Sequence, residues 1–350
     1  MIERKKTREV KIGSVTVGGE SPIAIQSMLS AQPEDLEGNI RQARELEAAG
    51  CDIIRVAIPG MEDVRLLGKL KEALSIPVVA DIQFNYRLAV ESAYAGADKV
   101  RINPGNIGDE DKIKAVVDAC RANGVPIRIG VNSGSLEKEV LEKHQSATAD
   151  ALVESALLNV RCLEKYDFYD YLVAIKSSDV ERTIDAYRKF SRINDCPLHL
   201  GVTEAGTERM GLIKSAAALG SLLCDGIGDT IRVSLTAPPV REIYAAQDIL
   251  KGIGLWKKGP KFVSCPTCGR CKVDLLSIAD QVETALRNCT KDVKIAIMGC
   301  VVNGPGEARD ADVGVAGGPR ECIIFRHGQE VRPVSREQVV EALLAEVEAL

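Results

Sequence analysis

The sequence predicts an α/β chain: a (β/α)8 TIM barrel with an N-terminal hairpin, followed by a small second α/β domain. Eight short β-branched runs recur within about 240 residues, helical apolar patterns lie between them, and glycines close several helices just before the next strand. The same alternation without the count of eight would suit a doubly wound open sheet, which stands as the alternative.

The elements follow in order. Val10-Lys-Ile12-Gly13-Ser14-Val15-Thr-Val17 alternates apolar and polar residues around a Gly-Ser turn, the pattern of a hairpin left over as a plug or edge of the barrel. Strands are expected at 23–28, 53–57, 77–82, 99–103, 127–131, 171–176, 198–202 and 230–235. Between them, sets such as Leu36, Ile40, Ala43, Leu46 and Ile113, Val116, Val117, Cys120 recur at helical spacing. Gly50, Gly96, Gly124 and Gly220 are expected to end helices in the left-handed conformation. A helix that follows Thr236-Ala-Pro238-Pro239 and runs to Gly252-Ile-Gly254, and a linker at 256–260, separate a barrel domain, 1–255, from a second domain, 261–350. The latter is expected to hold a strand at 262–264, a helix at about 274–286, strands at 293–298, 311–316 and 322–326, and a last helix from Glu337.

Four of the barrel strands are interrupted by arginine (Arg55, Arg101, Arg128 and Arg232), and Lys176 ends a fifth. An unpaired cation removed from water costs several kcal/mol, so a set of them must meet carboxylates or a polyanion. Residues at strand C-termini converge on the mouth of a barrel, and guanidinium groups suit phosphate oxygens. A small phosphate- or diphosphate-bearing substrate is the reading. The adjoining loops add Asp81, Asn103, Asn132 and Ser234 as further binding groups, and Glu204, the first carboxylate after the seventh strand, as a candidate general acid.

Chemistry of another kind is expected at Cys265-Pro-Thr-Cys268-Gly-Arg-Cys271, followed by Gly299-Cys300 and Asn303-Gly-Pro-Gly-Glu307. Thiolates two residues apart, with glycine or proline to bend the chain, form the frame of a zinc site or an iron–sulfur cluster. The three histidines, His144, His199 and His327, all lie outside this segment, which leaves sulfur or sulfur-plus-carboxylate ligation. Spacing alone would make Cys265, Cys268 and Cys271 three ferredoxin-like ligands. Cys51, Cys120, Cys162, Cys196 and Cys224 stand on apolar or helical stretches and are read as core. With a net charge of −5 and 4% aromatic residues, the chain lacks the basic, ring-bearing surface of a nucleic-acid binder. Neither an export signal nor a membrane span is visible, so a cytoplasmic protein is expected.

Six segments then carry a resemblance: Gln26-Ser-Met28, Arg101-Ile-Asn-Pro-Gly-Asn-Ile-Gly108, Arg128-Ile-Gly-Val-Asn-Ser-Gly-Ser-Leu-Glu137, Leu200-Gly-Val-Thr-Glu-Ala-Gly206, Cys265-Pro-Thr-Cys-Gly-Arg270 and Met298-Gly-Cys-Val-Val-Asn-Gly-Pro-Gly-Glu-Ala308. In this order, from the hairpin nearly to the C-terminus, the chain closely resembles the bacterial 4-hydroxy-3-methylbut-2-enyl diphosphate synthases. The resemblance implies an iron–sulfur oxidoreductase of the methylerythritol phosphate route. Such an enzyme reductively opens 2-C-methyl-D-erythritol 2,4-cyclodiphosphate with two electrons and loss of water. It further implies one [4Fe–4S] cluster per chain on Cys265, Cys268, Cys300 and Glu307, a substrate held by Arg55, Arg101, Arg128 and Lys176, and a proton supplied by Glu204. Reduced flavodoxin or ferredoxin as donor and a homodimer are implied as well. Two positions depart from the pattern: Gln83 stands where the family usually has histidine, and Cys271 is an additional thiol. The alternative from another class is a zinc-stapled, phosphate-binding barrel without redox chemistry.

Overall fold

The computed structural model describes residues 2–256, 258–287, 289–301, 306 and 309–350. The chain divides into two units, Met1–Ile253 and Gly254–Leu350.

In the first unit, strands β1 (Val10–Ile12) and β2 (Val15–Val17) form the expected hairpin. The barrel wall is β3 (Ala24–Met28), β4 (Ile53–Ala57), β5 (Val78–Asp81), β6 (Lys99–Ile102), β7 (Ile127–Asn132), β8 (Tyr171–Lys176), β9 (His199–Leu200) and β10 (Thr230–Ile231). These strands are parallel and pair in ring order, with β10 between β3 and β9. A bridge between Val173 and Leu198, with Val173 N–H donating to the Pro197 carbonyl at 3.1 Å, joins β8 to β9. The closed barrel is therefore what forms, and the open sheet is set aside. The hairpin is a plug rather than an edge. Val10, Ile12 and Val17 are buried against Ala24, Ile53, Val79 and Leu172, early residues of four barrel strands.

One helix layer surrounds the wall: α1 (Leu36–Ala48), α2 (Arg65–Ala73), α3 (Tyr86–Tyr94), the short α4 (Pro104–Ile107), α5 (Glu110–Asn123), the short α6 (Lys138–His144), α7 (Ala149–Glu164), α8 (Val180–Ile193), α9 (Glu208–Cys224) and α10 (Pro239–Gly252). Asp35, Asn85, Asp109, Thr148 and Asp179 each accept a backbone N–H at a helix start, satisfying donors the helix itself leaves orphaned. Gly50, Gly96 and Gly124 take positive φ after α1, α3 and α5, as expected. Gly220 does not. It lies inside α9, because Ser-Leu-Leu-Cys224 continues the helical pattern, and a mid-helix glycine costs only about 1 kcal/mol. Gly226, at φ 75°, makes that turn instead. Cys51, Cys120 and Cys196 are buried as expected, whereas Cys162 is half-buried and Cys224, the last residue of α9, is exposed.

The second unit is a five-stranded mixed sheet in the order β11 (Lys261–Ser264), β12 (Lys294–Met298), β13 (Val313–Gly317), β14 (Cys322–Arg326) and β15 (Gln329–Val334). The first three are parallel and the last two antiparallel. Helices α11 (Leu275–Ala285) and α12 (Val339–Glu348) cover one face, with Val282, Ile295, Ile297, Val313, Ile324 and Leu343 in the core. Strand β15 is absent from the sequence expectation. It is an exposed edge strand carrying Pro333, so it shows no apolar alternation, and the His327-Gly328 turn, both residues at positive φ, sets its pairing.

At the β8–β9 seam the phenol of Tyr187, on α8, accepts the Ile175 N–H at 2.9 Å and donates to the His199 carbonyl at 2.5 Å. Tyr187 is fully buried, so no water can replace it. Tyr187→Phe strands both backbone groups and is expected to lower unfolding free energy by about 1–3 kcal/mol. Urea denaturation checks this; a midpoint equal to wild type would mean the seam closes without the phenol.

Candidate functional site

Side chains alternate between the two faces of a strand, and here the inward positions are charged. Strands β4 to β8 send Arg55, Asp81, Lys99, Arg101, Arg128 and Lys176 inward, and Arg232 follows β10. Six cations and two carboxylates, Asp81 and Glu242, gather where most TIM barrels pack branched aliphatic residues. Asp81 Oδ1 accepts from Arg101 Nη1 at 3.1 Å, while Arg55 Nε stands 3.7 Å from Oδ2. Glu242 reaches in from α10. It accepts Leu235 N–H and Ser27 Oγ at 3.1 Å each and lies 3.5 Å from Arg232 Nε.

Two glycines make the room. A Cβ on Gly130 would sit 2.7 Å from Arg101 Nε, and one on Gly201 would sit 2.9 Å from Lys176 Nζ. Arg128 stands deeper than its sequence position suggested, second in β7 rather than near its C-terminus, and is 1% exposed. Its Nε has no hydrogen-bond partner among the described residues.

This surplus sets the protonation behaviour. Burial, then repulsion from Arg128 and other cations, pushes Lys99 and Lys176 well below the ordinary lysine value. Arg128 is likewise lowered by burial and by Arg55 and Arg101, and Arg55 is brought down to about 10 by burial. Burial would raise Asp81, but Arg55, Arg101 and Arg128 outweigh it and hold the carboxyl below its usual range. His199, its Nδ1 2.7 Å from Thr230 Oγ1, is kept neutral by burial and by the cations around it.

The loop residues are placed as follows. Asn103 is buried and caps α4, accepting the Gly105 N–H at 3.2 Å. Asn132 ends β7, in register with Lys176 on β8. Ser234 is half-buried two residues beyond Arg232. The Thr207–Thr236 bridge ties the β9 and β10 loops together. Glu204 is exposed at φ 52°, a left-handed backbone that it shares with Gln145, Asp167 and His327 among the described non-glycine residues. Gln83 and Phe84 are exposed in the loop after β5. Lys99 and Glu242 of the barrel interior were not singled out in the sequence, and Gln26 and Met28 stood there only as part of a resemblance segment, with no role assigned. A lysine opening a strand was the available signal for Lys99. Glu242 gave none, since it looks like any helix glutamate.

In the second unit, β11 and β12 are parallel neighbours, so their C-terminal ends bring Cys265 beside Gly299-Cys300. Gly299 N–H donates to Cys265 Sγ at 3.2 Å. Cys268 is exposed, and its thiol is lowered by the backbone and then the side chain of Arg270. A backbone donor on one sulfur and a depressed thiol on another suit thiolate ligation. Cys271 Sγ donates to the Val273 carbonyl at 3.2 Å and lies beside Gly299; like Cys265, it is half-buried against the core. Glu307 lies outside the described residues. Among the described residues, no three His, Cys, Asp or Glu side chains stand together as a metal site.

Comparisons with known proteins agree with this two-unit layout. Residues 7–247 match the family model described as GcpE TIM-barrel domain, and residues 261–349 match the GcpE protein C-terminal domain. The chain is similar to proteins named 4-hydroxy-3-methylbut-2-en-1-yl diphosphate synthase (flavodoxin). That of Clostridium perfringens is 52% identical with 100% of both chains covered, and that of Geobacillus thermodenitrificans is 50% identical over 100% of this chain and 94% of the relative. Among solved structures, a dihydropteroate synthase from Stenotrophomonas maltophilia is similar in fold, with a TM-score of 0.50 at 13% identity over 69% of this chain and 98% of the other.

Removing a buried cation whose Nε has no hydrogen-bond partner among the described residues should relieve the free protein. Arg128→Met is expected to raise its unfolding free energy by about 1 kcal/mol or more. The pH dependence gives a second readout. Lys99 and Lys176 have folded-state pKa values below the unfolded value of about 10.4, so the unfolded chain binds more protons in that window and stability rises with pH. Arg128 is the cation that repels both lysines most strongly, so the rise should shrink in Arg128→Met. Melting temperatures from pH 7 to 10 check both; a destabilised variant with an unchanged pH slope would mean the charge surplus is compensated.

Proposed function

The chain belongs to the GcpE family, and from that premise we propose that it catalyses the reductive ring opening and dehydration of 2-C-methyl-D-erythritol 2,4-cyclodiphosphate to 4-hydroxy-3-methylbut-2-enyl diphosphate, a step of isoprenoid biosynthesis. The observation that carries this reading is the surplus of buried cations over carboxylates in the barrel. A cyclic diphosphate supplies the missing negative charge.

In this reading Arg55, Arg101, Arg128, Lys176 and Arg232 hold the phosphate oxygens. Asp81 aims Arg55 and Arg101 through the contacts it makes with both. Asn103, Asn132 and Ser234 contribute hydrogen bonds around the ring, and Glu204 delivers the proton with which a hydroxyl leaves as water. A [4Fe–4S] cluster, one per chain, held by Cys265, Cys268 and Cys300 with Glu307 as the remaining ligand, would supply the two electrons. A carboxylate yields its place on iron more readily than a thiolate, which favours Glu307 over Cys271. That the Cys271 thiol donates to the Val273 carbonyl supports the same choice. The name that the relatives carry supports reduced flavodoxin as donor, with ferredoxin the alternative. A homodimer in the cytoplasm, without nucleic-acid or membrane partners, completes the proposal. Among the described residues, no helix is long and apolar enough to cross a membrane. The zinc-stapled alternative shares the cysteine loop but has no support from the relatives' name.

Glu204→Gln is expected to keep substrate binding and lose about 10²–10⁴-fold in rate, since the amide cannot deliver a proton. Anaerobic turnover with saturating reduced donor checks this, and wild-type rates would leave Glu204 without a role in proton transfer. The ligand assignment is checked by iron content after anaerobic reconstitution. Cys265→Ser, Cys268→Ser and Cys300→Ser should fail to hold a full cluster, whereas Cys271→Ser should hold one. Iron lost in Cys271→Ser and retained in Cys300→Ser would reverse the assignment.

A further inference from the structure

Three consecutive residues of β3 each touch a charged group from another element. Gln26 Oε1 accepts from Lys99 Nζ at 3.1 Å, and Ser27 Oγ donates to Glu242. Met28 Sδ accepts from Arg55 Nε at 3.2 Å and Nη2 at 2.7 Å, with Arg232 Nη1 at 3.9 Å. The acceptor types are informative. Carboxylates hold cations most firmly, and the barrel uses two, but each carboxylate also cancels a positive charge. An amide oxygen and a thioether fix a direction and cancel none. Gln26 and Lys99 are 1% and 0% exposed, so water does not replace the amide at Lys99.

We propose that Gln26 and Met28 are positioning residues, neutral acceptors that aim Lys99 and Arg55 without adding a negative charge that would oppose an anionic ligand. The inference rests on reading the barrel mouth as a diphosphate site. It assigns a task to the Gln-Ser-Met segment that the reaction itself left unused.

The test uses the full chain, inorganic pyrophosphate in titration calorimetry, and steady-state turnover of the cyclodiphosphate. Met28→Leu keeps the volume and removes the acceptor. It should weaken pyrophosphate binding and raise KM by about 2–10-fold, the worth of a modest hydrogen bond, with kcat unchanged. Met28→Gln restores a neutral acceptor and should recover much of that loss. Gln26→Glu gives Lys99 a carboxylate; it should raise the melting temperature of the free protein while weakening pyrophosphate binding. A packing role would reverse the first pair, with Met28→Leu equal to wild type and Met28→Gln the weaker binder, and that result overturns the proposal. So does Gln26→Glu binding pyrophosphate as wild type does. If wild type itself neither binds pyrophosphate nor turns over the cyclodiphosphate, the diphosphate reading fails and takes this inference with it. Wild-type binding alongside unaffected variants removes the positioning role alone.

Discussion

Positive charge collected inside a barrel, with too few carboxylates to cancel it, is the constraint on which the rest of this structure depends. Two like charges about 5 Å apart repel by roughly 3 kcal/mol at an effective dielectric near 20, so such an interior forms only if something else holds it. The helix layer and the closed parallel wall do so, with fully buried aliphatic residues such as Ile54, Val100, Ile129 and Leu219. The opposed charges of Asp81 and Glu242 then bind the outermost arginines to fixed directions. The interior is thus destabilised locally and stabilised globally, the usual distribution of strain in a protein whose site must be ready before its ligand arrives.

Much of this was legible in the sequence, for identifiable reasons. All eight strands could be located because each is a short apolar run bounded by turn residues, and the arginines stood out as breaks in those runs; the expected 198–202 and 230–235 shrink to His199–Leu200 and Thr230–Ile231. Depth could not be read. Arg128 and Arg101 are register partners although they hold different places in their own strands, because the stagger of a closed barrel is a property of the ring. The glycines at 130 and 201 likewise look like ordinary strand interruptions until the side chains they admit are in place. Glu242 was invisible, since a carboxylate on an amphipathic helix signals solvent, and only the packing of α10 turns it inward.

The second unit shows the opposite balance. Its cysteine loop was conspicuous from spacing, yet spacing made Cys271 equal to Cys265 and Cys268. The fold separates them. Cys268 is exposed and lowered by Arg270, Cys265 receives the Gly299 N–H, and the Cys271 thiol donates to the Val273 carbonyl. Edge strand β15 escaped because exposure removes the alternation from which strands are read.

The hairpin plug has a consequence for traffic. With Val10, Ile12 and Val17 sealing the N-terminal end, the barrel is a cup rather than a tube. Whatever enters the charged interior must leave by the same door, and a departing anion meets the same ring of cations that drew its predecessor in.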